Sequence, residues 1–179
     1  NYENYRASKA RLFSSLEHTK EKAGGNPRLG VINRDDRSFE FLNGFIKTNQ
    51  INYGLQAAAD VRAENIKYVP SGLEFAAVSK DFRMDVDSAL VGAYNVSNCL
   101  AALTAAVYGL GIDPQTAAAG ISLLDGIPGR MEQILLGQNF VAVVDFAHTP
   151  NALKVTLEEG KKMTKGRVIS VFGSAGLRD

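Results

Sequence analysis

An apolar run that stops at a carboxylate constrains this chain most. Phe140 to Val144 is valine-rich and too short for a lone helix, and it ends abruptly at Asp145. Such a run predicts a buried strand. Ile127-Pro-Gly-Arg130 and a turn at Gly137-Gln138-Asn139 precede it; His148 and Thr149-Pro150 follow. Pro150 suits the first turn of a helix with Thr149 as its cap. Residues just past the carboxyl end of a buried strand are where open α/β sheets bind ligands. The stretch therefore reads as a hinge between two domains, with Asp145 at the joint.

Around the hinge, the chain alternates strands and helices. Tyr2, Tyr5, Leu12, Phe13 and Leu16 recur at helical spacing, with Lys9 on the same stripe. Lys9 has two readings: a stem lying along apolar surface with its ammonium in water, or a functional lysine at the edge of a site. Arg28 to Asn33 reads as a strand, Arg37 to about Lys47 as a helix and Ile51 to Leu55 as a strand, a parallel crossover unit. Asn33 to Asp36 lie at a strand's carboxyl end, either lining a ligand edge or capping the next helix. Residues 60 to 86 hold short alternating β runs broken by turns. They predict a small antiparallel sheet with one wet face, distinct from the parallel one.

Gly92 opens a helix to about Leu110 whose packed face is Val96, Leu100, Leu103 and Val107. Asn95 and Asn98 share a face near its start. One asparagine can cap while the other is solvated, or both amides can address a planar ligand, since a carboxamide donates and accepts. Gly111 ends that helix, and Asp113-Pro114 caps another. Asn151 to about Lys162 predicts a helix and Arg167 to Phe172 a buried strand. The Gly173–Gly176 turn that follows could bring backbone amides to an anion.

Composition excludes several classes. Formal net charge is +1, giving no electrostatic case for nucleic acid or an anionic membrane. One cysteine, Cys99, excludes a disulfide framework. No run has membrane-spanning length. The chain has no complete Walker phosphate loop, Cys/His metal cluster or nucleophile elbow. It starts without methionine and stops just past a glycine turn, so it reads as a piece of a longer protein. The residues alone lead to an α/β ligand-binding protein.

Six stretches carry a resemblance beyond this. They are Asn4-Tyr-Arg-Ala-Ser-Lys-Ala-Arg-Leu-Phe13, Val31-Ile-Asn-Arg-Asp-Asp36, Gly92-Ala-Tyr-Asn-Val-Ser-Asn-Cys-Leu-Ala-Ala102, Ile127-Pro-Gly-Arg-Met-Glu132, Val143-Val-Asp-Phe-Ala-His-Thr-Pro150 and Val171-Phe-Gly-Ser-Ala-Gly-Leu-Arg-Asp179. In this order they resemble the Mur ligases, in particular members that add the third residue of the peptidoglycan stem peptide.

The resemblance implies an α/β fold: a partly parallel sheet with flanking helices, a small antiparallel sheet, and the first β-α-β portion of a Rossmann-like domain. Residues 1–146 would be the later part of a central ATP-binding domain, and 147–179 the start of a carboxyl-terminal domain that binds the incoming amino acid. Lys9 falls where the family has a carbamylated lysine serving Mg2+. On that reading an apolar stripe would partly desolvate Lys9 and favour the free amine that adds carbon dioxide. Asn95 and Asn98 fall on the motif meeting the adenine side of ATP, Arg130 on an arginine contacting the nucleotide, and Asp145 on the residue holding the ribose. Asn33 and His148 would line the site, and Arg178 would meet the carboxylate of the incoming amino acid. Leu177 departs from the acidic residue many relatives carry.

The implied enzyme is a cytoplasmic, monomeric ATP-dependent ligase. It would join diaminopimelate or lysine to a UDP-muramoyl dipeptide through an acyl phosphate, with no membrane insertion. The family's phosphate loop, Gly-x-x-Gly-Lys-Thr in type, is missing from this sequence, so the fragment alone would be inactive. A folylpolyglutamate synthase-like ligase, a non-catalytic nucleotide-binding module and a Rossmann oxidoreductase are the alternatives.

Overall fold

A computed structural model describes residues 2–20, 22–25, 27–56, 58–69 and 72–173. Arg178, Leu177 and most of the Gly173–Gly176 turn lie outside them.

One five-stranded sheet organises the chain, in the order β1 (Leu29–Asn33), β2 (Asn49–Gly54), β3 (Val61–Val69), β4 (Gly72–Val78) and β5 (Arg83–Ser88). β1 and β2 are parallel, with Val31 beside Ile51. Strands β3 to β5 form an antiparallel meander. The expected separation of the two sheets is corrected here: β2 and β3 pair in parallel through Tyr53–Val61 and Gly54–Arg62. Parallel neighbours ordinarily need a long crossover. Here only the strand ends overlap, so a short link suffices, and reciprocal hydrogen bonds between Asn52 and Asp60 lock the stagger.

The core lies where α3 (Ala93–Thr104) and α4 (Pro114–Ser122) cover one face of the sheet. Val96, Leu100 and Leu103 of α3 pack with Val61, Leu73, Phe75 and Val86. Period 2 in the strands and 3.6 in the helix aim these side chains at one another. The antiparallel half keeps a wet opposite face, where Glu64 pairs with Arg83 at 2.7 Å and Arg62 at 2.8 Å. These guanidinium partners, Arg83 first, hold the Glu64 carboxyl below its ordinary range.

A π-turn, Ala105–Gly109, extends α3, and Gly111 follows at φ +67° as the left-handed helix stop. Asp113 caps α4 by accepting from the amides of Gln115 and Thr116.

On the other side of β1, Ile32 packs with Phe39, Ile46 and Phe13. α2 spans only Phe39–Asn43, shorter than expected, because the Asp36 carboxylate accepts from the Ser38 amide and shapes a turn before it. α1 (Tyr2–Ser14) forms as expected but turns differently. Tyr5 and Leu12 are 61% and 67% exposed, while Ala10 is buried. The spacing identified a helix but not its inner face, since cations cover the outer rings: Arg37 stacks over Tyr2 and Lys9 over Tyr5.

The hinge strand also needs correction. Phe140 to Val144 is not buried: β7 covers only Ala142–Val144 and, among the described residues, pairs with β6 (Glu132–Ile134) alone. Val141 and Val144 are 54% and 49% exposed. Arg167 to Phe172 forms no strand, and Val171 is 95% exposed. Valine-rich sequence favours a pleated, half-buried surface, but burial needs neighbours on both edges and a covering layer. A two-stranded ribbon has neither among the described residues. The expected helix after the joint is present as α5 (Pro150–Lys162), with the Thr149 hydroxyl accepting from Ala152 N.

Candidate functional site

The amino end of α3 faces two clusters. The first is at the carboxyl ends of β1 and β2. Asn33 Nδ2 donates to Ser97 Oγ at 3.3 Å, and Asn33 Oδ1 accepts from the Asp35 amide. The Asp35 carboxylate accepts from Leu55 N at 2.6 Å, tying the two strand ends together. Burial, with Asp36 nearby, pushes the Tyr53 phenol above its ordinary pKa. Asp36 thus serves a local turn, while Asp35 joins the two strand ends.

Asn95 and Asn98 do share a face, but they are not two free amides. Asn95 is 1% exposed; its Nδ2 donates to Val91 O at 2.6 Å and its Oδ1 accepts from Asn98 Nδ2 at 2.9 Å. Asn98 is exposed, with its Nδ2 given to Asn95. Asn95 therefore holds Asn98 rather than presenting itself.

The second cluster is the joint. Asp145 is its centre: Oδ2 accepts from Met131 N at 2.9 Å, and Oδ1 accepts from Ala147 N at 2.9 Å and Thr156 Oγ1 at 3.1 Å. Phe146 N donates to Gly129 O at 2.7 Å, closing the Pro128–Met131 turn against the joint. Met131 occupies the left-handed region at φ +50°, which costs free energy outside glycine. The Asp145 hydrogen bond and burial of the Met131 side chain hold it there.

That turn displays Arg130, exposed, with its guanidinium 5.3 Å from the Phe146 ring centre and beside a cleft of about 420 Å³. His148 is exposed too; its Nδ1 lies 3.1 Å from Phe146 O. Tyr94 sits between the groups: burial, then the carboxylates of Asp145 and Glu159, push its phenol up to about 12 against the opposing effect of Arg130.

Asn33, Asn95, Asn98, Arg130 and Asp145 thus gather around the start of α3. Lys9 is placed apart, on α1, exposed and with Nζ 5.3 Å from the Tyr5 ring centre. Its expected desolvation is absent because the stripe bearing it faces outward. Among the described residues, no group of three or more His, Cys, Asp or Glu could hold a metal ion. The described residues therefore do not fit a magnesium site by themselves.

Three residues escaped sequence reasoning. Thr156 and Glu159 lie within a polar helix with no motif to mark them, and their partners are distant in sequence. Tyr94 lay inside a quoted motif but carried no spacing signal.

Comparison with known proteins is consistent along the chain. The family model for the Mur ligase middle domain matches residues 1–106, and that for the Mur ligase glutamate ligase domain matches residues 129–179. A UDP-N-acetylmuramyl-tripeptide synthetase of Roseiflexus sp. is 38% identical over 99% of this chain and 35% of its own length. A UDP-N-acetylmuramoyl-L-alanyl-D-glutamate--2,6-diaminopimelate ligase of Solibacter usitatus is 39% identical over 94% of this chain and 34% of its own. A solved structure of a ligase of that same description superposes with TM-score 0.73 at 33% identity, covering 100% of this chain and 36% of the other. The chain spans about a third of the length of the curated relatives it matches. The folylpolyglutamate synthetase of Lactobacillus casei, TM-score 0.66 at 19% identity over 89% of this chain and 40% of the other, shares the fold.

Proposed function

The chain belongs to the Mur ligase family, and from that premise we propose that it is the nucleotide-side part of an ATP-dependent amide-bond ligase of peptidoglycan precursor synthesis. The proposed substrates are UDP-N-acetylmuramoyl-L-alanyl-D-glutamate, ATP and a free amino acid, diaminopimelate or lysine. The observation that carries the reading is the convergence of Asn98, Arg130 and Asp145 at the start of α3. The division proposed is 1–146 for the central domain and 147–179 for the amino-acid-binding domain.

In the proposed reaction, an oxygen of the substrate's terminal carboxylate attacks the γ-phosphorus of ATP, and ADP leaves. The amine of the incoming residue attacks the resulting acyl phosphate, loses a proton and expels phosphate. Such chemistry asks for positioning and charge neutralisation more than covalent help. Exposed Arg130 would meet nucleotide phosphate or ribose oxygens, and the carboxamide of exposed Asn98 the adenine amine. A carboxylate offers about four acceptor positions. Asp145 already uses three of them, leaving one for a ribose hydroxyl. Asn33 and His148 would line the edges, and Arg178 would meet the amino acid's carboxylate. Magnesium would neutralise phosphate charge, and Lys9 holds the position at which the family's carbamylated lysine serves the metal.

No helix among the described residues is long and apolar enough to cross a membrane. Cys99 is free and buried, so the chain needs no oxidising compartment, and the proposed setting is a cytoplasmic monomer.

The test is ATP-dependent incorporation of radiolabelled diaminopimelate or lysine by the intact enzyme; no incorporation of either refutes the reading. Glutamate addition to a folate instead would favour the folylpolyglutamate alternative. Residues 1–179 alone should bind ATP weakly, since the sequence lacks a phosphate loop. Micromolar affinity by calorimetry would contradict that.

A further inference from the structure

We propose that Thr156 and Glu159 of α5 are positioning residues that hold the nucleotide pocket in shape from the far side of the joint, an inference that rests on the ligase reading above. The two are three residues apart and so share a face of the helix. Each reaches a different element of the pocket, and neither touches the cleft beside Arg130.

Glu159 acts on α3. The N-cap of α3 is Gly92, at φ +97°, which has no side chain to satisfy the first amides. Glu159 supplies an acceptor from 66 residues away: Oε2 lies 3.3 Å from Ala93 N. Its carboxylate is held by Lys162 Nζ at 2.7 Å, and the residue is only 7% exposed. A buried carboxylate is retained where it is paired and hydrogen-bonded, and an anion is favoured at a helix amino end. Fixing the first turn of α3 fixes Val91 and Asn95, and through Asn95 the exposed amide of Asn98.

Thr156 acts on the turn. Its hydroxyl donates to Asp145 Oδ1, selecting the carboxylate rotamer in which Oδ2 restrains left-handed Met131, the residue after Arg130. One face of α5 thus governs both the amide and the guanidinium offered to nucleotide. Displacing α5 releases both together, so the second domain's position is read directly by the nucleotide pocket.

The experiment compares Thr156→Val, which keeps shape but loses the hydroxyl, with Thr156→Ser, and Glu159→Ala with Glu159→Gln, in the intact enzyme. Loss of one hydrogen bond to a charged group is expected to raise KM for ATP about tenfold in Thr156→Val and Glu159→Ala. kcat and KM for the muramoyl substrate should change less than about twofold, a split that general destabilisation would not give. Thr156→Ser should be near wild type and Glu159→Gln intermediate. An unchanged KM for ATP, or equal losses in every constant including those of Thr156→Ser, overturns the inference. Amide exchange without nucleotide reads the coupling independently of turnover. Faster exchange at Met131 in Thr156→Val and at Ala93 in Glu159→Ala is expected; unchanged exchange overturns the inference even in an active enzyme. A wild-type enzyme with no ATP-dependent ligation removes the ligase reading instead, and exchange then decides the coupling alone.

Discussion

Replacing Asp145 with asparagine tests the joint with almost no change in volume. Aspartate accepts on both oxygens, from Met131 N on one side and from Ala147 N and Thr156 Oγ1 on the other. Asparagine has one acceptor oxygen and one donor nitrogen. If its oxygen keeps Ala147 and Thr156, its NH2 points at the Met131 N–H, donor against donor. If it flips, the Ala147 N–H is stranded instead, because the Thr156 hydroxyl can turn and accept from the NH2. A stranded buried donor costs about 1–3 kcal/mol, and bonds to a neutral acceptor are weaker than those to a carboxylate. Because Asp145 is only half-buried, water offsets part of this, and about 2 kcal/mol is expected for Asp145→Asn.

The loss should be local, since the Pro128–Met131 turn and the joint lie outside the main core formed by α3 and the sheet. Amide exchange at Met131 and Ala147 should therefore quicken about thirtyfold, the equivalent of 2 kcal/mol, while exchange in β3 and β4 stays near wild type. Exchange at Met131 and Ala147 within about twofold of wild type would refute the claim that Asp145 holds the turn.

Other outcomes are expected. Lys9→Ala in the intact enzyme should abolish most activity, and short-chain carboxylic acids should restore some of it; wild-type activity in Lys9→Ala would reduce Lys9 to an exposed surface lysine. Cys99 is buried and burial raises its thiol pKa, so thiol reagents at pH 8 should label it only on unfolding; rapid labelling of the native protein would contradict its placement. The Tyr94 phenol ionises near 10 when unfolded but at about 12 when folded. Below pH 10 both states are protonated; between about 10 and 12 only the unfolded state ionises, so stability falls as pH rises through that window. Tyr94→Phe should flatten that fall in alkaline unfolding curves, and an unchanged slope would count against the assignment.

Rules that act within a turn of chain were legible in the sequence. The caps at Asp113 and Thr149, the stop at Gly111 and the β1–α2–β2 unit follow from side chains and backbone a few residues apart. The ordered motifs also carried the family, and they singled out Arg130, Asp145 and Asn98. Contacts decided the rest. Equal spacing placed Asn95 and Asn98 on one face, but only packing beside Val91 turned Asn95 inward as the holder of Asn98. Periodicity found α1 but not its inner side, because cations over Tyr2 and Tyr5 make the outer face tolerable. Valine content marked β7 as strand without securing burial, since that depends on neighbouring strands and a covering layer rather than on the run itself. Thr156 and Glu159 acquire meaning only through Asp145 and Ala93. A hydrogen bond spanning 66 residues has no periodic trace in sequence, because chain folding, not spacing, brings its partners together.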